Sequence, residues 1–180
     1  MKPGTGAPRA SKNECRQSSF CARERWESTV KLPPDWSEFI SLLFAHRVRF
    51  LIVGAHALAA NGRPRATQDL DIWVEPTPEN AERVGAALVA FGFTELGSAT
   101  AEFAQPNRMA TLGRPPLRID VMTSIDGVAF ADAWEERLEA RFGDQTVAFL
   151  GRRLLIENKL ATGRAKDRLD VELLREGDAT

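Results

Sequence analysis

The sequence predicts an α/β (α+β) fold: a mixed β-sheet packed with helices and followed by a C-terminal helical segment. Three observations predict it. Short apolar, β-prone runs ("RFLIV", "DLDIWV", "LRIDVMTS", "QTVAFL") interleave with segments of helical period. Helix start and stop residues bracket the helical segments. The 180 residues are 43% hydrophobic, enough for one domain with its own core.

Residues 1 to 32 differ from the rest. They are rich in Gly, Pro and Ser and carry seven Lys/Arg against three Asp/Glu. The expectation is a flexible basic tail (1–32) ahead of a folded domain (33–180). Such a tail is either an arm for RNA or a partner, or a leader without a role. The cysteines, Cys15 and Cys21, form no C-x-x-C pair and cannot supply four zinc ligands. They read as free thiols of a reducing compartment. No apolar run approaches the ~20 residues of a membrane span, and the N-terminus has no continuous h-region, so a signal peptide is not expected. A cytoplasmic protein without membrane contact is expected. The net charge of −1 carries no global field for nucleic acid, although a local basic patch can do that work.

The ordered part begins at "PPDWSEFISLLFAHRV", where Asp35 and Glu38 form a capping-box pattern and Trp36, Ile40 and Leu43 share a helical face. "RFLIV" reads as a buried strand, and "GAHALAANG" as a turn with a short helix. "DLDIWV" is the next strand. "TPENAERVGAALVAFGF" is a helix capped by Thr77, with Pro78 in its first turn, Ala81, Val84, Leu88 and Phe91 inward, and Gly92 at its end. Two short strands are expected near "AEFA" and "RMATL". "LRIDVMTS" is a strand, "FADAWEERLEARFG" a helix and "QTVAFL" a strand. Two helices around Gly163 end the chain.

The chemistry concentrates in "RATQDLDIWV". On a strand, residues two apart point the same way, so Asp69 and Asp71 project together while Leu70 and Ile72 face the core. Adjacent carboxylates repel and resist ionisation. Either both stand in water at a strand end, or a divalent cation such as Mg²⁺ offsets them. Asp120, between Ile119 and Val121 on a second strand, faces the same kind of surface. Three carboxylates on two strands can hold two metals for in-line phosphoryl displacement. Gly54, where a strand turns into a helix, lets a phosphate approach the backbone, or simply makes the turn. Arg63 and Arg65 either serve a triphosphate or neutralise the strand. His56 is either a phosphate contact or a packing residue. Lys159 is either an active-site cation or a snorkelling lysine. Asp167 and Asp170 share a helical face beside it: they either position Lys159 or Arg164, or help with catalysis, or are an early-helix acid favoured by the dipole beside a solvated partner. With two histidines and no G-x-S-x-G, a Ser–His–Asp hydrolase has poor material, and no P-loop is present.

The order strand, Gly, short helix, T-x-D-x-D and a later third Asp resembles the nucleotidyltransferase fold of the polymerase-β superfamily. "VGAHALAANGRPRATQDLDIWV", "RIDVMTSIDGVAFADAW" and the K…GR-x-KD-x-x-D segment "LIENKLATGRAKDRLDVELL" resemble the AbiEii-like nucleotidyltransferases of bacterial abortive-infection and toxin–antitoxin systems. The likeness spans roughly residues 35 to 175. It implies a two-metal Mg²⁺ site at Asp69, Asp71 and Asp120, with Lys159 also catalytic. It implies nucleotide binding by Gly54, Ala55, His56, Arg65 and Thr67. The implied reaction moves an NMP from an NTP to a hydroxyl of RNA (a tRNA end among the candidates) or of protein, with a cognate antitoxin as partner. Ala55 stands where most relatives carry Gly or Ser. The chain has no tyrosine, so the Lys–Tyr motif of some such toxins cannot form. Two other readings keep the fold: a catalytically weak NTP- or antitoxin-binding module, and a small-molecule nucleotidylase of the antibiotic-modifying kind.

Overall fold

Six strands form one mixed sheet around three buried residues, Phe50–Ile52 (β1), in the computed structural model, which describes residues 32–176. The preceding helix, α1 (Pro34–Ala45), turns Trp36, Phe39, Ile40 and Leu43 inward. Its N-cap is Pro33, and no side chain caps it. The expected Asp35 cap is therefore not made: Pro34 already has the backbone angle of a first helical residue, which places Asp35 inside the first turn. Leu32, expected in the tail, is buried in the core. The rest of the tail, with Cys15 and Cys21, lies outside the described residues.

The chain then forms α2 (Gly54–Ala60), β2 (Asp69–Val74) and α3 (Pro78–Ala90). Thr77 accepts a hydrogen bond from the Asn80 amide, as its capping position predicts. Ala81, Val84 and Leu88 are buried, and Phe91 packs partly buried against the core. Two short helices follow, α4 (Thr94–Ser98) and α5 (Thr100–Phe103), then β3 (Met109–Leu112) and β4 (Arg118–Met122). "AEFA" is thus helical where a strand was expected. Gly85 and Gly97 meet backbone to backbone, so close that a Cβ on either would lie 2.6 Å from the other's carbonyl oxygen. That contact holds α4 on α3 and leaves Phe103 to turn inward on a helical turn.

The segment expected as one helix over 130–143 divides into α6 (Phe130–Glu135) and β5 (Leu138–Phe142). Its Ala, Glu and Leu content suits a helix, but Ala140 and Phe142 are buried on one side, the period of a strand. β5 pairs antiparallel with β6 (Gln145–Phe149) across the turn Gly143–Asp144. Strand pairing overrides local propensity here. Helices α7 (Arg152–Thr162) and α8 (Ala165–Arg175) end the described chain, joined at Gly163.

The strand order is β3-β4-β2-β1-β6-β5. β2 lies antiparallel to β1 and parallel to β4, and β6 lies parallel to β1. Consequently β1 runs into one end of the sheet, while β2 and β4 start there. No helix among the described residues is long and apolar enough to cross a membrane.

Candidate metal centre

The parallel register of β2 and β4 places Asp71 directly opposite Asp120 and Asp69 opposite Arg118. Side chains at paired positions share a face. Asp69, Asp71 and Asp120 therefore converge, and one carboxylate oxygen from each lies within 4.8 Å of the others. Leu70, Ile72, Ile119 and Val121 are buried and anchor both strands. The third wall is the start of α2. The Val53 amide donates to the Asp71 carbonyl at 3.0 Å, and Gly54 follows with a left-handed φ of +62°. A Cβ on Gly54 would overlap the Asp71 carboxylate. Glycine is needed there to make room for that side chain, whatever ligand approaches as well.

The three acids differ electrically. Burial pushes Asp71 up to about 6, and the charges of Asp69 and Asp120 add to the rise, against the pull of Arg118 and Lys166. Burial also raises Asp69, but the Thr67 hydroxyl and the Arg118 guanidinium outweigh it and hold Asp69 below the usual carboxylate range. Thr67 Oγ1 donates to Asp69 Oδ1, and Arg118 Nη2 donates to Asp69 Oδ2 at 2.6 Å. Asp120 accepts from Thr111 Oγ1 at 2.7 Å and ion-pairs with Arg118 Nε at 3.1 Å. That Nε lies close without hydrogen-bond alignment.

This donor set fits a hard divalent cation. Three carboxylates converge, Arg118 neutralises two of them from one side, and Asp71 keeps a net penalty on its charge, from burial and from its neighbours, that a cation would offset.

Neither a protein-family model nor a curated protein matches the sequence. A solved structure does: a Thermotoga maritima protein provisionally described as a nucleotidyltransferase. The two are 14% identical, and the alignment covers 81% of this chain and 94% of that one with a TM-score of 0.51. This chain has the nucleotidyltransferase fold. Within that fold, the acid cluster sits where β1 enters α2 and where β2 and β4 begin.

Other residues of the nucleotidyltransferase fold singled out in the sequence lie around or apart from the cluster. The His56 ring packs edge-on against Trp36 at 5.3 Å and Phe142 at 5.0 Å between centroids. Burial lowers its pKa to about 4, against opposing contributions from Asp69. The side chain is a packing residue in these contacts. Ala55 is buried at the start of α2. Arg65 pairs with α8: its Nε lies 3.5 Å from Asp170 Oδ1. Lys159 does not snorkel. It is 4% exposed, and its Nζ donates to Asp167 Oδ1 at 3.0 Å and to Asp170 Oδ2 at 2.6 Å.

Sequence reasoning missed Arg118 and Thr111. Arg118 was legible: it stands two residues before Asp120 on a strand, hence on the same face. Thr111 was not, because its place opposite Asp120 depends on the β3–β4 register.

Proposed function

We propose that the chain is a Mg²⁺-dependent nucleotidyltransferase that moves an NMP from an NTP to a hydroxyl acceptor. The observation that carries this reading is the in-register pair Asp71–Asp120 with Asp69 beside it, on a nucleotidyltransferase fold. Asp69, Asp71 and Asp120 would hold the metal. Bound there, Mg²⁺ supplies charge stabilisation at the α-phosphate and the departing pyrophosphate. In the reaction, a bond forms from the acceptor oxygen to the α-phosphorus. The bond from that phosphorus to the bridging oxygen breaks, and pyrophosphate leaves. Asp120 orients the attacking hydroxyl and takes its proton. Thr111 and Arg118 hold the two Asp120 oxygens in place for that role. Gly54 and the Ala55 amide lie under the triphosphate, and Arg65 offers it a guanidinium.

The acceptor class we favour is RNA, with a tRNA end first, or a protein hydroxyl, in a toxin–antitoxin or abortive-infection setting with a cognate antitoxin. Its support is the family resemblance carried by the three segments quoted above. A second reading, a catalytically weak NTP-binding module, is favoured by one observation: Arg118 already pairs with two of the three acids.

The test incubates the full chain with each α-labelled NTP, Mg²⁺ and either total tRNA or lysate. Mg²⁺-dependent label on RNA or protein is expected. NTP binding without transfer to any acceptor would establish the binding module. Neither binding nor transfer would end both readings.

A further inference from the structure

We propose that the buried Lys159–Asp167–Asp170 network is a positioning device: it clamps α7 to α8 and presents Asp170 to Arg65, fixing that guanidinium at the entry to β2 for a triphosphate. Lys159 then acts through Asp170 and not on the substrate. The inference rests on the nucleotidyltransferase reading for its ligand, but not for its geometry.

Lys159 comes from α7, and Asp167 and Asp170 come from α8. Their exposures are 4%, 5% and 4%. Asp167 spends both oxygens inside the helix pair, one on Lys159 Nζ and the other on the Thr162 hydroxyl at 2.6 Å. Asp170 gives Oδ2 to Lys159 and keeps Oδ1, which faces Arg65 Nε at 3.5 Å. One lysine against two aspartates leaves a net negative charge in a buried site, and uncompensated buried charge is costly. Arg65 supplies the balance. Among the described residues, Asp170 is its one ion-pair partner, and its side chain remains 38% exposed. Arg65 also stands two residues before Thr67, whose hydroxyl holds Asp69. Anchoring Arg65 thus steadies the segment that leads to the first metal-facing acid. Lys159 is too enclosed, and too fully engaged by carboxylates, to reach a substrate.

The test compares the full chain with Asp170→Asn, Arg65→Gln and the double variant. The first measurement is the Arg65 Nε–H resonance in ¹⁵N-arginine-labelled protein, assigned by its loss in Arg65→Gln. In the parent it should be protected from solvent exchange, and in Asp170→Asn it should lose that protection. The second is the dissociation constant of ATP, GTP, CTP and UTP, each with Ca²⁺. Asp170→Asn should weaken binding of the preferred NTP about tenfold, Arg65→Gln by at least as much, and the double variant no more than Arg65→Gln alone. In transfer assays the Asp170→Asn loss should fall on KM, since a positioning residue for the triphosphate acts on binding. An unchanged Arg65 resonance in Asp170→Asn, additive losses in the double variant, or a loss confined to kcat would each overturn the proposal. If the parent binds none of the four NTPs, the nucleotidyltransferase reading fails, and the Arg65 resonance alone decides the clamp.

Discussion

Gly54 leaves room for the Asp71 side chain: a Cβ at residue 54 would lie 2.0 Å from Asp71 Oδ2 and 2.9 Å from its Cγ. Gly54→Ala therefore has two effects. The left-handed backbone costs about 1–2 kcal/mol for a residue with a Cβ, and the Asp71 carboxylate must turn aside. The melting temperature should fall by several degrees, and the rise that Mg²⁺ or Mn²⁺ gives the parent should disappear. Melting curves in EDTA and in each metal check both. A variant that keeps the full metal-dependent rise would remove Asp71 from the metal site.

Asp71→Asn keeps the strand pattern and removes one charge from the cluster. Turnover should drop on the order of 10²-fold or more, the usual cost of losing a major electrostatic stabiliser. The fold should survive, with stability equal or slightly higher, because one member of a repelling set is gone. NMP transfer and melting on one preparation measure this. Transfer at the parent rate would sink the assignment.

Two groups oppose each other in the pH dependence of the metal-free protein. Asp71 is raised in the fold to about 6, so the folded state holds its proton more tightly than the unfolded chain does. The stability this contributes is complete below the ordinary carboxylate range and is lost as pH rises through about 6. His56 is lowered to about 4 from 6.5, so its contribution is present above 6.5 and is lost as pH falls through about 4. Between pH 4 and 6 the two slopes have opposite sign. Across this range the melting temperature of the parent in EDTA should change less than that of Asp71→Asn. Asp71→Asn should lose stability on acidification over the same range, and a flat profile for that variant would refute the balance.

Arg118 neutralises Asp69 and Asp120 at once. Arg118→Gln should lower the melting temperature in EDTA. Divalent ions should then raise it by more than in the parent, because the carboxylates meet the cation without a competing guanidinium. Titrations with Mn²⁺ followed by melting test the direction, and a smaller metal response than the parent's would show that Arg118 organises the acids for the ion.

Much of this arrangement is legible in the amino-acid sequence. The alternation in "DLDIWV" and "LRIDVM" separates acids from core residues, and period-two geometry allows no other division. What alternation cannot give is register. That Asp71 faces Asp120, and that Thr111 completes the set, depends on which strands pair and where. The helix–strand division over 130–142 escaped for a related reason: β5 is fixed by its partner β6, while its own composition favours a helix. The sequence left open whether Lys159 is buried or snorkels, because the carboxylates that engage it lie 8 and 11 positions away, across the turn at Gly163. The same-face pair Asp167 and Asp170 was the available sign of a buried cation.

The strand order also sets a schedule for synthesis. β1 to β4 are contiguous in the chain and occupy adjacent places in the sheet, so the half that carries the three acids can assemble once residue 122 has left the ribosome. The free side of β1 stays uncovered until β6 arrives, and β6 forms a hairpin with β5 across a two-residue turn. Local hairpins form early, whereas distant pairings wait for the chain. The late hairpin thus closes an open sheet edge, and α7 and α8 follow it. A nascent chain can therefore bring its acids together before it has the element that carries Asp170. If Arg65 needs Asp170 to meet a nucleotide, the unfinished protein has its acids in place but not yet the group that sets Arg65.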